Sequence, residues 1–475
     1  MMKFTLSFLI LLATLKASSQ SDVTKVFEIS PTLYDRGTKV LPNGDGYAVF
    51  GYRGGSTASN GDIFLLRLDK DGNEMGRHIY GLPNKTECIS SGVVAVGNNG
   101  WLVAGWQAQA TVTSKLGYLV RVDANGNELW SKTLSGPNLS GLNFTSLASL
   151  PSGGFIAAGV IGTDLSLVRL TANGDIVWKK SYNAEVPSGI YVNESGGNCF
   201  VISGNKVLKI RTSEGNLAWM KGIELPVFGA PDGDINVGLE DIVPTGNGTF
   251  AITGTALNDQ VFNFEQAPYA SLWKENGDII WTRAFPANPA TKLGGGTCNS
   301  ILHLSNQNNL MLTGEDAEGG INVTRIGING ELLEVSNIPT PALSISTVLL
   351  KHQGRYVITG GCFTNGMNTL FYRSAGNWLP MGNNRAGNRS GSTLPSFSIF
   401  PNPANTTINL QYWSEVPMEV QFQIFNASQQ IAMESIHLAT TGINSANFNI
   451  QSLPQGIYWL KAPQIGLCAK SWVKY

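Results

Sequence analysis

Side-chain patterns that could carry catalysis or bind a metal are scarce in this 475-residue chain. The chain has four histidines, and no two of them stand at the spacing of metal ligands. They are His78, His303, His352 and His437. A Gly-x-Ser-x-Gly nucleophile motif does not occur either. The sequence therefore predicts no catalytic residue, no metal site and no cofactor.

Two short stretches resemble ligand-binding loops, but both coincide with hairpin turns. "GNGTFA" from Gly246 matches a dinucleotide-binding fingerprint in its glycines, yet no helix pattern follows it. "DKDGNE" from Asp69 resembles the start of a calcium loop, yet the remaining ligand positions are missing. Both stretches are interpreted as turns.

A group of acidic and aromatic residues offers a better candidate for ligand binding. It lies in two unusually long segments, "LPVFGAPDGDINVG" and "TALNDQVFNFEQAP", that flank one predicted hairpin. The candidate ligand-binding residues are Phe228, Asp232, Asp234, Asp259, Phe262 and Phe264. Carboxylates that converge in space could instead form the acid–base pair of a glycoside hydrolase.

A repeated ten-residue phrase indicates the architecture that positions these residues. "RVDANGNELW" from Arg121 returns as "RLDKDGNEMG" from Arg67 and "RLTANGDIVW" from Arg169. The turn glycines of the repeat are Gly72, Gly126, Gly174, Gly215, Gly277, Gly330 and Gly376. Their separations of 41 to 62 residues are typical of propeller blades.

Each repeat contains a second hairpin upstream of the phrase, so each unit has four short strands. The third strands, such as "GYLVRVD", are apolar almost throughout, as expected for strands covered on both faces. The last unit stops after its third strand, and the N-terminal stretch from Val23 to Ser30 has no unit of its own. We expect that stretch to complete a closed seven-bladed ring, because an open solenoid would leave it unexplained.

Arginine and tryptophan flank several of the turns at fixed positions. In two of these hairpins Arg121 should lie opposite Trp130, and Arg169 should lie opposite Trp178. Where tryptophan is missing, Glu334 should pair with Arg325. We interpret these pairs as structural rather than as an anion-binding ring, because most repeated blade residues pack neighbouring blades.

The loops on one face of the ring are long and variable, whereas those on the other are short and uniform. The tight turns between strands one and two and between strands three and four lie together on the uniform face. The opposite face carries the connections between strands two and three and between blades. Binding sites of propellers usually lie among such long loops, which favours the acidic and aromatic group named above.

Both ends of the chain carry features of an exported protein. Lys3, an apolar run and the small residues of "KASSQ" predict a signal peptide over residues 1–19, cleaved after Ser19. No transmembrane segment is expected after its removal.

The five widely spaced cysteines are expected to be buried free thiols. A formal net charge of −1 gives no reason to expect nucleic-acid binding.

The chain divides into a propeller over residues 20–378, a linker over 379–395 and a small sandwich over 396–475. The linker is rich in Gly, Asn, Arg and Ser and has no apolar periodicity. Beyond it the repeat disappears, and alternating strands at sandwich spacing follow. The fold class is therefore all-β, a seven-bladed β-propeller followed by an Ig-like C-terminal β-sandwich.

The sandwich resembles the C-terminal sorting domain, type A, of the type IX secretion system of Bacteroidota. The motifs are "FPNPA" from Phe400, "IFNASQQ", "LPQGIYWLK" from Leu453 and the basic strand "KSWVKY". The usual glycine after "IFN" is replaced here by "ASQQ". The residues that match the sorting motifs are Pro403, Gly456, Tyr458, Lys461 and Lys474.

The resemblance implies export by the type IX translocon, followed by removal of the sandwich by a sortase-like peptidase. The cargo would then be released or attached to surface lipopolysaccharide. We expect the propeller to be a non-enzymatic binding or adhesion protein whose extracellular ligand the sequence does not identify. The alternative is a hydrolase or lyase that acts on extracellular polysaccharide through carboxylates at the propeller mouth.

Overall fold

The computed structural model describes most of the propeller and the sandwich. The residues it describes are 22–30, 34–54, 61–97, 100–109, 114–136, 138–223, 236–257, 266–285, 296–316, 320–338, 340–364, 367–375, 398–400, 404–414, 418–426, 430–440, 442–462 and 467–474. Every regular element in these ranges is a β-strand. The predicted signal peptide and linker lie outside them.

Seven antiparallel sheets form the blades, and six of them are built from strands that follow one another along the chain. Blade one contains β2 (Tyr34–Asn43), β3 (Gly46–Gly54), β4 (Asp62–Leu68) and β5 (Glu74–Tyr80). Blade two contains β6 (Lys85–Cys88), β7 (Val93–Ala95), β8 (Trp101–Gln109), β9 (Leu116–Val122) and β10 (Glu128–Leu134). Blade three contains β11 (Asn143–Ser149), β12 (Phe155–Ile161), β13 (Asp164–Leu170) and β14 (Ile176–Tyr182). In blade two, β6 and β7 both pair with β8 and together replace the first strand.

The remaining four blades follow the same plan. Blade four contains β15 (Pro187–Val192), β16 (Asn198–Ser203), β17 (Lys206–Arg211) and β18 (Leu217–Gly222). Blade five contains β19 (Asn236–Gly246), β20 (Thr249–Leu257), β21 (Gln266–Lys274) and β22 (Ile279–Ala284). Blade six contains β23 (Ser300–Leu304), β24 (Asn309–Glu315), β25 (Ile321–Gly327) and β26 (Leu332–Ile338). Blade seven contains β27 (Ser344–His352), β28 (Arg355–Phe363), β29 (Met367–Arg373) and the N-terminal strand β1 (Val23–Phe27).

The N-terminal strand closes the ring, as the sequence predicts. Strand β1 pairs antiparallel with β29 and supplies the outer strand that blade seven lacks. The Asp35 carboxylate of blade one accepts hydrogen bonds from the backbone N–H groups of Ile29 and Ser30, at 2.7 and 2.8 Å. The chain therefore passes from blade seven into blade one along a hydrogen-bonded path.

Seven apolar clusters lie between successive blades, and the last of them joins blade seven to blade one. That cluster packs Val49 and Phe64 of blade one against Val357 and Phe371 of blade seven. Each strand in the middle of a blade buries side chains on both faces, which explains the continuous apolar character of the third strands. The core of the propeller is thus divided among the blade interfaces.

The repeated turn glycine is explained by contact with the preceding blade. Gly174 has a φ of +80°, and a Cβ atom there would lie 2.6 Å from the ring of Trp130. Gly215 of blade four receives Trp178 of blade three in the same way. The Trp178 indole N–H also donates to the carbonyl of Thr212 at 3.0 Å. Glycine is required because both the left-handed backbone and the packed ring exclude a side chain.

Replacing Trp178 by alanine should destabilise the propeller by about 3 kcal/mol, because the substitution leaves a cavity between two blades and removes the hydrogen bond to the Thr212 carbonyl. Val177→Ala is the matched control. Val177 precedes Trp178 on the same strand but is exposed, so its loss should change stability by less than about 0.5 kcal/mol. Denaturant unfolding of the two variants measures the difference, and equal stabilities would contradict the packing role of Trp178.

The predicted cross-strand pairs are confirmed. Trp130 lies opposite Arg121, and Trp178 lies opposite Arg169. The Arg325 guanidinium forms an ion pair with Glu334 at 3.0 Å. In blade three, the Arg169 guanidinium also donates to the turn of the next blade at the carbonyls of Thr212 and Ser213. Arg67 of blade one donates in the same way to the carbonyl of Asn125. These contacts support a structural role for the arginines.

The C-terminal domain is a two-sheet sandwich with its own core. One sheet contains β30 (Ser398–Phe400), β31 (Thr407–Ser414) and β34 (Gly442–Asn449). The other contains β33 (Ile431–Ala439), β32 (Met418–Phe425), β35 (Gly456–Ala462) and β36 (Leu467–Lys474). The two sheets bury residues such as Ile408, Phe422 and Phe448 between them.

The described cysteines agree with the expectation of free thiols. Cys199, Cys298 and Cys362 are buried, and Cys88 is half-buried, with no disulfide among these four. Burial raises the pKa of Cys199 to about 12, so this thiol stays protonated and inert.

Candidate functional site

The first strands of the blades lie side by side around the axis of the propeller. The hydroxyl of Thr145 in blade three donates to the carbonyl of Pro187 in blade four at 2.6 Å. Ser188 of blade four donates to the carbonyl of Leu239 in blade five. The Asn299 amide of blade six donates to the carbonyl of Ser346 in blade seven at 2.8 Å. These strands therefore form the wall of the central channel.

A β-bulge recurs in the first strands of five blades. At each bulge the register with the second strand shifts by one residue, which leaves one residue unpaired. The unpaired residues are Thr38, Thr145, Ser188, Glu240 and Thr347. Four of them carry a hydroxyl group, whereas blade five places a carboxylate at the same point of the channel wall.

Glu240 combines access to solvent with an enclosed position. Its side chain is exposed, yet burial by the surrounding channel wall raises the pKa of its carboxyl group to about 7. The positive charge of Arg36 opposes this rise, and the neighbouring Asp241 adds to it. Within the described part of the chain, the Glu240 carboxylate accepts no hydrogen bond. Near neutral pH the carboxyl group is therefore divided between its acid and carboxylate forms.

Asp241, the next residue, has a different role. It is half-buried, and its carboxylate accepts hydrogen bonds from the Ser300 hydroxyl at 3.0 Å and the Ile301 amide at 3.1 Å. Both partners belong to blade six, so Asp241 joins blade five to its neighbour. Asp241 thus links two blades, whereas Glu240 lies in the channel wall.

Arg36 is the basic residue of the same region. It lies on the first strand of blade one, opposite Tyr52, and one of its terminal nitrogens is 3.4 Å from the Thr347 hydroxyl of blade seven. The buried Arg36 Nε has no hydrogen-bond partner in the described part of the chain. Because the charge of Arg36 influences the pKa of Glu240, blades one and five bring opposite charges to the channel. We refer to Arg36, Tyr52, Glu240 and Thr347 as the channel cluster.

Replacing Arg36 by methionine should raise the pKa of Glu240 above about 7, because a nearby cation favours the carboxylate form. The midpoint is measured from the side-chain carboxyl ¹³C shift in glutamate-labelled protein, assigned with Glu240→Gln. Arg53→Met is the matched control, since Arg53 forms an ion pair with Asp62 at 2.6 Å. An unchanged midpoint in Arg36→Met would show that the two channel charges do not interact.

The channel cluster differs from the site favoured by the sequence. The six candidate residues Phe228, Asp232, Asp234, Asp259, Phe262 and Phe264 lie outside the described residues. Their role in ligand binding stays a prediction. Blade five is nevertheless shared by both sites, since Glu240 belongs to its first strand.

An alignment of the first hairpins would have revealed Glu240. Gly159 in blade three and Gly254 in blade five occupy equivalent positions, because a Cβ at either would meet a first-strand carbonyl oxygen within 2.2 Å. Counting back fourteen residues from each glycine reaches Thr145 and Glu240. The sequence alone therefore shows that Glu240 stands where blade three has Thr145.

The residues that match the sorting motifs have separate positions in the sandwich. Tyr458 is buried in the core, and its hydroxyl donates to the carbonyl of Pro454 at 2.8 Å. Lys474 is buried and donates to the carbonyl of Asn405, so it ties the last strand to the segment after "FPNPA". Lys461 faces the propeller. Pro403 lies outside the described residues.

Gly456 is the first residue of β35 rather than part of a tight turn. Its φ of +157° is a backbone conformation that residues with a side chain rarely adopt, although a Cβ there would touch only the Tyr458 ring, at 3.8 Å. A substitution at Gly456 is therefore expected to strain the backbone even though the side chain would have space. The part that these five residues play in sorting stays a prediction.

Among the described residues, no three His, Cys, Asp or Glu side chains are grouped closely enough to hold a metal ion. No helix in the described ranges has the length and apolar character needed to cross a membrane.

Comparison with known proteins identifies the C-terminal domain. Residues 398–466 match the family described as "Secretion system C-terminal sorting domain". No curated protein is significantly similar in sequence to the chain. One similar solved structure is the crystal structure of BamB from Moraxella catarrhalis, with 10% identity and a TM-score of 0.41. The similarity covers 74% of this chain and 98% of that chain.

The sheet topology and the family match together define the protein at the level of its two domains. Four-stranded blades surround a channel and are closed by the N-terminal strand. The separate sandwich at the C-terminus carries the match to the sorting family. The chain is therefore a β-propeller that carries a type IX secretion sorting domain and is exported to the cell surface or the extracellular space.

Proposed function

We propose that the propeller is a non-enzymatic binding protein whose extracellular ligand is received at the channel cluster. The observation that carries the proposal is Glu240, a carboxylate at a channel position where four other blades have serine or threonine. Most of those hydroxyls hold neighbouring strands together. The Glu240 carboxylate has no such structural partner in the described part of the chain, so it is available to a ligand.

The chemistry of the cluster favours a polar ligand with hydroxyl groups, such as a glycan. Glu240 accepts hydrogen bonds, Arg36 donates them, and the Tyr52 ring supplies an apolar surface. Such a mixture of aromatic and polar side chains is typical of sites that bind small polar molecules. The cluster lies within a channel, so a ligand there would lose contact with water on several sides.

The experiment is a binding screen of the full chain against a glycan array and a set of extracellular proteins. We expect a ligand whose affinity falls about 10- to 100-fold in Glu240→Gln and in Arg36→Met, because each loses a charged hydrogen bond. Glu128→Gln makes the same chemical change at an exposed outer strand and should leave binding unchanged. Full affinity for every ligand in both channel variants would contradict the proposal.

The second candidate function is a hydrolase or lyase that acts on extracellular polysaccharide. The raised pKa of Glu240 favours it, because a general acid must be protonated near the working pH. The adjacent Asp241 is already bound by Ser300 and Ile301, which leaves it poorly placed as the second carboxylate. Release of reducing ends from a polysaccharide by the wild type, and its loss in Glu240→Gln, would favour the enzyme.

We further propose that the sandwich is recognised by the type IX translocon and removed by a sortase-like peptidase within residues 379–395. The family match supports contact with the secretion system as a whole. Whether the cargo is then released or attached to lipopolysaccharide is tested by fractionation. A propeller that remains with the outer membrane after a salt wash supports attachment, whereas one in the medium supports release.

A further inference from the structure

The sorting domain contacts the propeller through one face of one sheet. Trp459 of β35 packs into an apolar cluster with Phe363 and Met367 of blade seven. Tyr34 of blade one and Leu343 and Ile345 of blade seven complete this cluster. Phe363 and Met367 are only 7% and 8% exposed. We refer to these residues as the docking cluster.

Lys461 adds a charged contact beside Trp459. Its ammonium nitrogen lies 5.5 Å from the ring centre of Tyr34 and 5.8 Å from that of Phe363. A third ring, Phe425 of the sandwich itself, is 4.6 Å away. The ammonium group therefore lies among three aromatic rings, two of which belong to the propeller. Such an arrangement attracts a cation through the electron-rich ring faces.

The strand places these two residues on the face that points away from the sandwich core. Trp459 and Lys461 are two positions apart, so their side chains leave β35 on the same side. Tyr458 and Leu460 alternate with them and are buried between the two sheets. The outer face of the sheet is thus covered by the propeller at this point, although Leu438 on β33 of the same sheet is 72% exposed.

The docking cluster adjoins the channel cluster. Tyr34 precedes Arg36 by two residues on the same strand, and Ile345 precedes Thr347 in the same way. Met367 and Arg36 both approach Gly361, since a Cβ there would lie 3.2 Å from the Met367 sulfur and 3.7 Å from Arg36 Cγ. The sandwich therefore sits at the rim of the channel, on the side of blades seven and one.

We propose that the sorting domain is docked in cis on the rim of the propeller channel through Trp459 and Lys461, and that it covers part of the rim until it is removed. Lys461 is then a docking residue of this chain in addition to any role in sorting. If the channel cluster binds ligand as proposed above, the docked sandwich restricts access to it. That consequence rests on the proposed function, whereas the docking itself does not.

The docking is tested without a ligand, by hydrogen–deuterium exchange and small-angle X-ray scattering on the full chain. Lys461→Met should shift the balance between docked and undocked forms about 5- to 30-fold toward the undocked form. Trp459→Ser should act in the same direction. We expect faster exchange around residues 361–364 and a larger radius of gyration, with the unfolding midpoint of the propeller unchanged. Leu438→Ala is the matched control and should leave both measurements as in the wild type.

A variant in the propeller tests the same contact without changing the sequence of the sandwich. Tyr34→Leu should give the same change in exchange and scattering. Combining it with Lys461→Met should add little, because both substitutions remove the same contact between Lys461 and Tyr34. Wild-type exchange and scattering in Lys461→Met, Trp459→Ser and Tyr34→Leu would overturn the proposal. Additive effects of Tyr34→Leu and Lys461→Met would also overturn the Lys461 contact.

Discussion

Deletion of residues 20–30 is expected to lower the stability of the propeller by about 4 kcal/mol or more. The deletion removes β1, so β29 loses its outer neighbour and presents an unpaired edge. It also removes Val26, Phe27 and Ile29 from the apolar clusters around blade seven. A fully buried side chain of this kind contributes about 1.5–3 kcal/mol, and Ile29 is 7% exposed.

Strand β1 also contributes contacts that other blades obtain from their own fourth strand. Lys25 donates to the side chain of Asn73 in the turn of blade one, at 2.7 Å. In the same way Lys132 of blade two donates to the carbonyl of Asn173 in blade three. The deletion therefore breaks one blade-to-blade contact of the ring in addition to the strand pairing.

Thermal unfolding of the deletion variant measures this effect. Lys25→Ala provides the milder comparison, because it removes the exposed hydrogen bond to Asn73 and keeps the strand. It should cost no more than about 1 kcal/mol. A deletion variant that unfolds at the wild-type temperature would contradict closure by β1.

The second large effect is expected from truncation after Ser396. The propeller should remain folded, because its seven clusters lie between blades and the sandwich has a core of its own. The truncated protein should stay in the periplasm, since the sorting domain has been removed. Cell fractionation with a wild-type control measures the distribution. Appearance of the truncated propeller at the cell surface would contradict the dependence of export on this domain.

The blade count and the ring closure were predictable because both rest on local signals. Turn glycines with positive φ recur where an aromatic ring of the preceding blade packs against a hairpin turn, as Trp130 packs against Gly174. The pairing of β1 followed from counting strands, since one unit was short by one. The Arg325–Glu334 ion pair was predictable because the two residues occupy facing positions on the two strands of a tight hairpin.

The channel and the docking cluster were harder to predict because they depend on contacts between distant parts of the chain. A β-bulge adds a single residue, so the position of Glu240 is hidden unless the hairpins are aligned on Gly254. The contact of Lys461 with Tyr34 joins residues more than four hundred positions apart, and no periodic pattern records it. The loop residues of blade five, such as Asp232 and Phe262, stay a prediction.

The most direct test of the account is to fuse residues 379–475 to an unrelated periplasmic reporter in a host with a type IX secretion system. We expect the reporter to reach the cell surface or the medium, because the matched sorting family lies wholly within this segment. The same reporter with only residues 379–395 should remain in the periplasm. A reporter that carries the full segment and still remains periplasmic would contradict the central claim that the C-terminal sandwich exports the propeller.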